Sequence, residues 1–133
     1  MSTAARTQPV VIQVVEDDPT LNDAYKMILE SRGHHVLTAR DGKEALEQFA
    51  KSPKKVRIIL LDLHMPVMDG IAFLKAFDVA AHPDVTIVVF TNYNDGKEVE
   101  DAYALGAERY ILKARAAPKE LLHLVESILE ETV

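Results

Sequence analysis

The chain has 133 residues, the length of one domain. It contains no cysteine, which excludes a disulfide scaffold, a thiolate metal centre and cysteine catalysis. Fifteen Lys plus Arg stand against twenty-one Asp plus Glu, and the resulting charge of −6 argues against a general binder of nucleic acid or of anionic membranes. No apolar run approaches the ~20 residues of a membrane span. No basic lead followed by a long apolar block marks a secretion signal, so the sequence predicts a cytoplasmic protein.

Residues 1–8 read as a loose lead-in and 9–133 as one folded domain. Val10–Val15 is a β-branched run broken by Gln13 and stopped by Glu16-Asp17-Asp18-Pro19. A helix follows from Pro19 to Ser31, with Asp18 as its cap and Leu21, Tyr25, Ile28 and Leu29 at helical spacing; Gly33 closes it. His35–Ala39 is a second strand, Asp41-Gly42 a turn and Lys43–Ala50 a second helix. Arg57–Asp62 is almost wholly apolar, the pattern of a strand covered on both faces. Asp69–Phe77 is the third helix, opened by Asp69, and Val85–Phe90 the next covered strand. Asn94–Leu105 is the fourth helix, with Asp95 and Glu98 at capping-box spacing, and Gly106 ends it. Arg109–Leu112 is the fifth strand; Pro118 opens a last helix along Leu121, Leu124, Val125 and Ile128. His34, His35, His82 and His123 show no ligand spacing and read as surface or turn residues.

Strands alternating with helices imply an α/β fold: a flavodoxin-like, doubly wound, five-stranded parallel sheet of order 2-1-3-4-5 with five helices. Ligands bind such sheets at the carboxyl edge of the strands. There strand 1 delivers Glu16, Asp17 and Asp18, strand 3 Asp62, strand 4 Thr91 and strand 5 Lys113. Two like charges about 5 Å apart repel by roughly 3 kcal/mol at an effective dielectric near 20, so such acids need raised pKa values or a shared cation. A hard dication with oxygen ligands, Mg2+ by abundance, answers that need. It leaves an Asp62 oxygen free as nucleophile, while Lys113 and Thr91 hold the oxygens of an incoming phosphoryl group. A flavin or dinucleotide is disfavoured, because Glu-Asp-Asp-Pro would repel a phosphate at the end of strand 1.

Five pieces in order carry a family resemblance: Val14-Val15-Glu16-Asp17-Asp18-Pro19, Asp41-Gly42-Lys43-Glu44-Ala45-Leu46, the run from Leu60 through Asp62 and Met65-Pro66 to Asp69-Gly70, Val88-Val89-Phe90-Thr91, and Gly106 through Lys113. From about Val10 to Leu129 the chain resembles the receiver domain of two-component response regulators, of the stand-alone chemotaxis-regulator kind. The resemblance implies that Asp62 is the phosphoacceptor. It implies that Glu16, Asp17, Asp62 and the backbone carbonyl of His64 hold Mg2+, with Glu16 acting through water. Thr91 and Lys113 stabilise the phosphoryl group, and Thr91 and Tyr110 form a switch that alters the face of the fourth helix, fifth strand and fifth helix. The implied donor is a sensor histidine kinase or histidine phosphotransfer protein. The implied receiver of the signal is a downstream protein or a second copy of the chain, with no nucleic acid and no membrane. Ending after its fifth helix, the sequence is expected to lack an output domain, either as a stand-alone receiver or as a piece of a longer protein.

Three features depart from the family pattern. Ala114 stands where proline usually follows the lysine; a cis Lys113–Ala114 bond would cost ~3 kcal/mol, so a trans bond and a reshaped loop are expected. Asn92 replaces a very small residue after Thr91. His64 and Tyr93 each lie two residues beyond a site residue, where, with Asn92, they would tune phosphoryl lifetime by shielding it from water. Asn92 and Ala114 leave a second reading open, a pseudo-receiver that binds partners without phosphorylation. An aspartyl phosphatase is disfavoured, because the position two after Asp62 holds His64 rather than an acid. No turnover of an external substrate is expected, only slow self-dephosphorylation.

Overall fold

A computed structural model describes residues 8–52, 54–91, 96–113 and 117–131, and of Thr91 the backbone alone. The elements are β1 (Val11–Val15), α1 (Pro19–Glu30), β2 (His35–Ala39), α2 (Gly42–Lys51), β3 (Val56–Asp62), α3 (Gly70–Phe77), β4 (Thr86–Thr91), α4 (Gly96–Ala104), β5 (Arg109–Leu112) and α5 (Pro118–Glu131). All strands pair in parallel, in the order β2-β1-β3-β4-β5. The expected architecture and strand order are therefore those observed.

Local chemistry sets the helix starts. Asp18 accepts hydrogen bonds from the N–H groups of Thr20 and Leu21 at 2.9 and 3.2 Å, with Pro19 in the first helical position. Asp69 accepts from Ala72 N–H at 2.8 Å. Asp41 is more than a turn residue: it accepts from Glu44 N–H at 2.8 Å, and Glu44 accepts from Arg40 N–H at 2.8 Å, so α2 begins at Gly42. The expected start of α4 at Asn94, with Asp95 as cap, lies outside the described residues.

Alternation along each strand divides the core between the two faces of the sheet. Ile59 and Leu61 of β3 face the layer of α2, α3 and α4, with Phe73, Leu74, Phe77 and Ala102. Ile58 and Leu60 face α1 and α5, with Tyr25, Leu29, Leu121 and Val125. Two histidines depart from the surface reading. His34 is buried and accepts the N–H of Val10 on Nδ1 at 3.2 Å. His82 stacks on Phe77 with ring centroids 4.3 Å apart. The first imidazole serves as a buried acceptor for backbone, and the second packs on an aromatic wall. Gln13 is also absorbed by packing: its Nε2 donates to the Ala45 carbonyl and to Gln48 Oε1.

Two loop features position the end of β3. Gly70 N–H donates to the Leu63 carbonyl at 3.1 Å, and a Cβ on Gly70 would lie 2.6 Å from the Asp62 carbonyl oxygen. The first turn of α3 therefore rests on the backbone of Asp62. Before it, Met68 N–H donates to the Pro66 carbonyl at 2.7 Å around Val67, whose φ of 67 places an exposed β-branched residue in the left-handed region.

Gly70→Ala is expected to lower unfolding free energy by about 2 kcal/mol in urea titrations, because backbone must move to admit a methyl group. Gly96→Ala, which meets nothing within 4 Å, is the neutral control. Val67→Gly is expected to stabilise by about 1 kcal/mol, by relieving the left-handed strain; an unchanged urea midpoint would refute it.

Candidate functional site

The carboxyl ends of β1, β3 and β5 bring three charged side chains together. Glu16 follows β1, and its N–H continues the ladder by donating to the Ala39 carbonyl at 3.0 Å. Asp62 is the last residue of β3, and Lys113 follows β5. Glu16 is 1% exposed and Asp62 3%, so both acids are out of water. Lys113 is buried with them. Its Nζ lies 2.5 Å from Glu16 Oε1 and donates to Asp62 Oδ2 at 3.0 Å.

Each carboxylate is also held by backbone. Glu16 Oε2 accepts the N–H of Asp18 at 3.0 Å, and Asp62 Oδ1 accepts the N–H of His64 at 3.1 Å. Asn22 of α1 fixes the strand ends beneath them, its Nδ2 donating to the carbonyls of Glu16 and Ala39 at 2.8 and 3.1 Å. The sequence reading missed Asn22. The signal was present: a polar residue at the head of the buried 22, 25, 29 stripe of α1.

Burial pushes the Glu16 carboxyl up from its ordinary value; the Lys113 hydrogen bond and the Asp18 N–H oppose this, and the charge of Asp62 adds to it. Burial alone would pull the Lys113 ammonium down, but its bonds to Glu16 and Asp62 prevail and hold it above its ordinary value. One ammonium thus serves two buried acids.

Glu16, Asp17 and Asp62 each present an oxygen, all within 4.8 Å of one another. Asp17 is exposed at the mouth of the group. Glu16 Oε1 is buried, and its partner there is the Lys113 ammonium. Three carboxylates and one ammonium leave two negative charges, and every donor is oxygen. This set fits a hard dication such as Mg2+. The cleft above it, about 270 Å³, is walled by Asp17, Asp18, Asp62, His64 and Lys113. Two larger clefts, of about 330 and 410 Å³, lie at the opposite edge of the sheet around His82 and around Arg109, and neither gathers a comparable set of acids.

The remaining expected residues separate. His64 lines the cleft, and its imidazole is half-exposed, with Nε2 3.1 Å from Glu98 Oε1 of α4. Tyr110 is 39% exposed, its ring edge-to-face with Tyr103 of α4 at 6.4 Å. Thr91 ends β4 one residue beyond the Asp62–Phe90 pairing, with its side chain outside the described set. Asn92, Tyr93 and Ala114, and with Ala114 the expected trans bond, lie outside the described residues.

Comparisons with known proteins bear on the family and the fold. The sequence model of the response regulator receiver domain matches residues 12–126. A curated relative, "Probable transcriptional regulator ycf27" of Guillardia theta, is 30% identical over 121 residues, which make up 91% of this chain and 46% of the relative. The chain spans about half the length of curated relatives that it matches. Among solved structures, a CheY-like response regulator receiver domain protein from Methanospirillum hungatei JF-1 aligns with a TM-score of 0.83 and 27% identity, over 93% of this chain and 96% of that one. Chemotaxis protein CheY4 of Vibrio cholerae aligns with a TM-score of 0.82 and 27% identity, over 92% and 100%.

The raised Glu16 carboxyl has a signed consequence for the metal-free protein. Above the ordinary carboxylate value of 4.5 the folded state binds the Glu16 proton more tightly than the unfolded chain. The Glu16 contribution therefore improves as pH falls into that window and worsens as pH rises through it. Glu16→Gln, in chelator, is expected to unfold at higher urea than the parent at pH 7.5, with the difference shrinking towards pH 5. A difference that stays constant with pH, or has the opposite sign, refutes this.

Proposed function

The chain belongs to the response regulator receiver domain family, and we propose that it is a phosphoacceptor switch whose nucleophile is Asp62. The observation that carries this reading is the buried Lys113 ammonium joined to Asp62 and Glu16 at the carboxyl edge of the sheet. The donor is a phosphohistidine on a sensor histidine kinase or a histidine phosphotransfer protein. An Asp62 oxygen attacks phosphorus, a P–O bond forms as the P–N bond breaks, and the electron pair returns to the donor imidazole.

The protein's part in this step is positioning and charge. The His64 N–H and the Lys113 ammonium fix the two Asp62 oxygens, so the nucleophile meets phosphorus without searching rotamers. Lys113, already desolvated, is in place to transfer a hydrogen bond to a phosphoryl oxygen. Asp17 and Asp62 would hold Mg2+ directly, with the His64 carbonyl as the third protein ligand and Glu16 acting through water. When bound, the ion supplies positive charge against the phosphoryl oxygens. The Thr91 hydroxyl is assigned as a further phosphoryl donor, on the strength of its place at the end of β4 beside Asp62.

The output is carried by α4, β5 and α5. Tyr110, outward on β5 beside Tyr103, is the aromatic that turns inward as Thr91 follows the phosphoryl group, and the changed face meets a downstream protein or a second copy of the chain. His64, Asn92 and Tyr93 shield the acyl phosphate and set its lifetime, and slow hydrolysis resets the switch. The domain occupies 9–133 and works in the cytoplasm; none of the described helices is long and apolar enough to cross a membrane.

Incubation with Mg2+ and acetyl phosphate is expected to add the mass of one phosphoryl group to the intact chain, and Asp62→Asn or excess chelator to abolish the gain. Equal labelling of Asp62→Asn would place the nucleophile elsewhere.

A further inference from the structure

We propose that Glu98, the third residue of α4, is a positioning residue that holds the His64 imidazole at the wall of the acid cleft, so that the lifetime of the Asp62 acyl phosphate depends on where α4 sits. The inference rests on the phosphoacceptor reading and names a regulation of that site.

One residue touches both ends of the path. The backbone N–H of His64 donates to Asp62 Oδ1 at 3.1 Å, and its imidazole Nε2 lies 3.1 Å from Glu98 Oε1. His64 also lines the cleft that contains Asp62 and Lys113. The two side chains are 46% and 31% exposed, so solvent screens the contact and it adds little to stability. Its effect is geometric. An imidazole carrying its hydrogen on Nε2 donates to the Glu98 carboxylate whether the ring is neutral or protonated, so the tie holds in either state. Tied to α4, the ring is kept over one side of the cleft instead of swinging into solvent.

That side matters for the reset. In hydrolysis a water oxygen attacks phosphorus, the P–O bond to Asp62 breaks, the carboxylate is restored, and inorganic phosphate leaves with the water's proton passing to phosphate or solvent. The water has to enter through the cleft, and a fixed ring narrows its approach. Glu98 travels with α4, so a partner that displaces α4 would loosen the ring and shorten the phosphorylated state.

The test uses the full chain, phosphorylated with acetyl phosphate and Mg2+, freed of donor by desalting, and followed by intact mass. Glu98→Ala and His64→Ala are each expected to shorten the lifetime by about fivefold, and the double variant no further, because both remove one contact. Glu98→Gln retains an acceptor oxygen and is expected to stay near the parent. In the unphosphorylated chain the His64 ring-proton NMR signals should move in Glu98→Ala and hold in Glu98→Gln. Multiplying effects in the double variant, or a parental lifetime in Glu98→Ala, overturns the proposal. A parent that gains no phosphoryl mass sinks the phosphoacceptor reading and this inference with it; a parent that gains mass while Glu98→Ala decays at the parental rate sinks this inference alone.

Discussion

A single ammonium shared by two buried carboxylates is the constraint on which this structure turns. Glu16 and Asp62 are removed from water at adjacent strand ends, and either acid alone in that setting would be costly. Lys113 balances them from an edge strand. In the observed order β5 lies two strands from β3, with β4 between. At about 4.8 Å per strand that separation is near 10 Å. It is bridged by the long lysine stem, whose side chain is 7% exposed. A shorter cation at this position could not reach Asp62, and an arginine fork would bring a larger, planar group into a space fitted to one nitrogen. The parallel order, the length of β5 and the identity of residue 113 form one arrangement.

That arrangement holds the chain in tension. The acids outnumber the ammonium, so burial and mutual repulsion raise the Glu16 carboxyl even with Lys113 in contact. Nearby backbone is strained as well: Val67 sits at a positive φ, and α3 presses so closely on the carbonyl of Asp62 that only a glycine fits at 70. Strain and uncompensated charge both surround the proposed nucleophile, and they persist because the doubly covered β3 beneath is rigid. A ligand that brings positive charge, or a phosphoryl group that takes over the hydrogen bonds of Lys113, finds a site whose components are already ordered.

The fold was legible because periodicity and caps agreed. Asp18 and Asp69 were readable as caps from their place before helical runs, and Arg57–Asp62 as a doubly covered strand from its unbroken apolar character. The convergence of Glu16, Asp62 and Lys113 was legible for a topological reason: a parallel sheet brings every strand's carboxyl end to one edge, whatever the sequence separation. What stayed hidden depends on side-chain reach. Nothing in the local sequence of His34 announces that Nδ1 takes the N–H of Val10, and His82 reads as a loop residue until Phe77 is placed beneath it. Asn22 was overlooked because a polar residue on a helix is ordinarily solvated, and its two carbonyl partners come from different strands. The Val67 turn was hidden because a β-branched residue is the last that sequence rules would place at positive φ.

The site and the α4–β5 face are joined by two physically different connections. Lys113 directly follows β5, the strand of Tyr110, so on the proposed reading a displacement of the ammonium towards a phosphoryl oxygen would pull on the strand that carries the exposed ring. His64 and Glu98 form the other connection, a side-chain contact from the loop after the nucleophile to the first turn of α4. The first runs through backbone and is stiff; the second runs through a half-exposed pair and is easily broken. Tyr103 on α4 and Tyr110 on β5, the two elements that these connections reach, meet edge to face. On the proposed switch reading, a change at Asp62 would reach the two elements that carry that aromatic pair by separate routes. Coupling of this kind needs two discrete arrangements with different contacts in each, and the ring pair supplies a contact that the inward position of Tyr110 would give up.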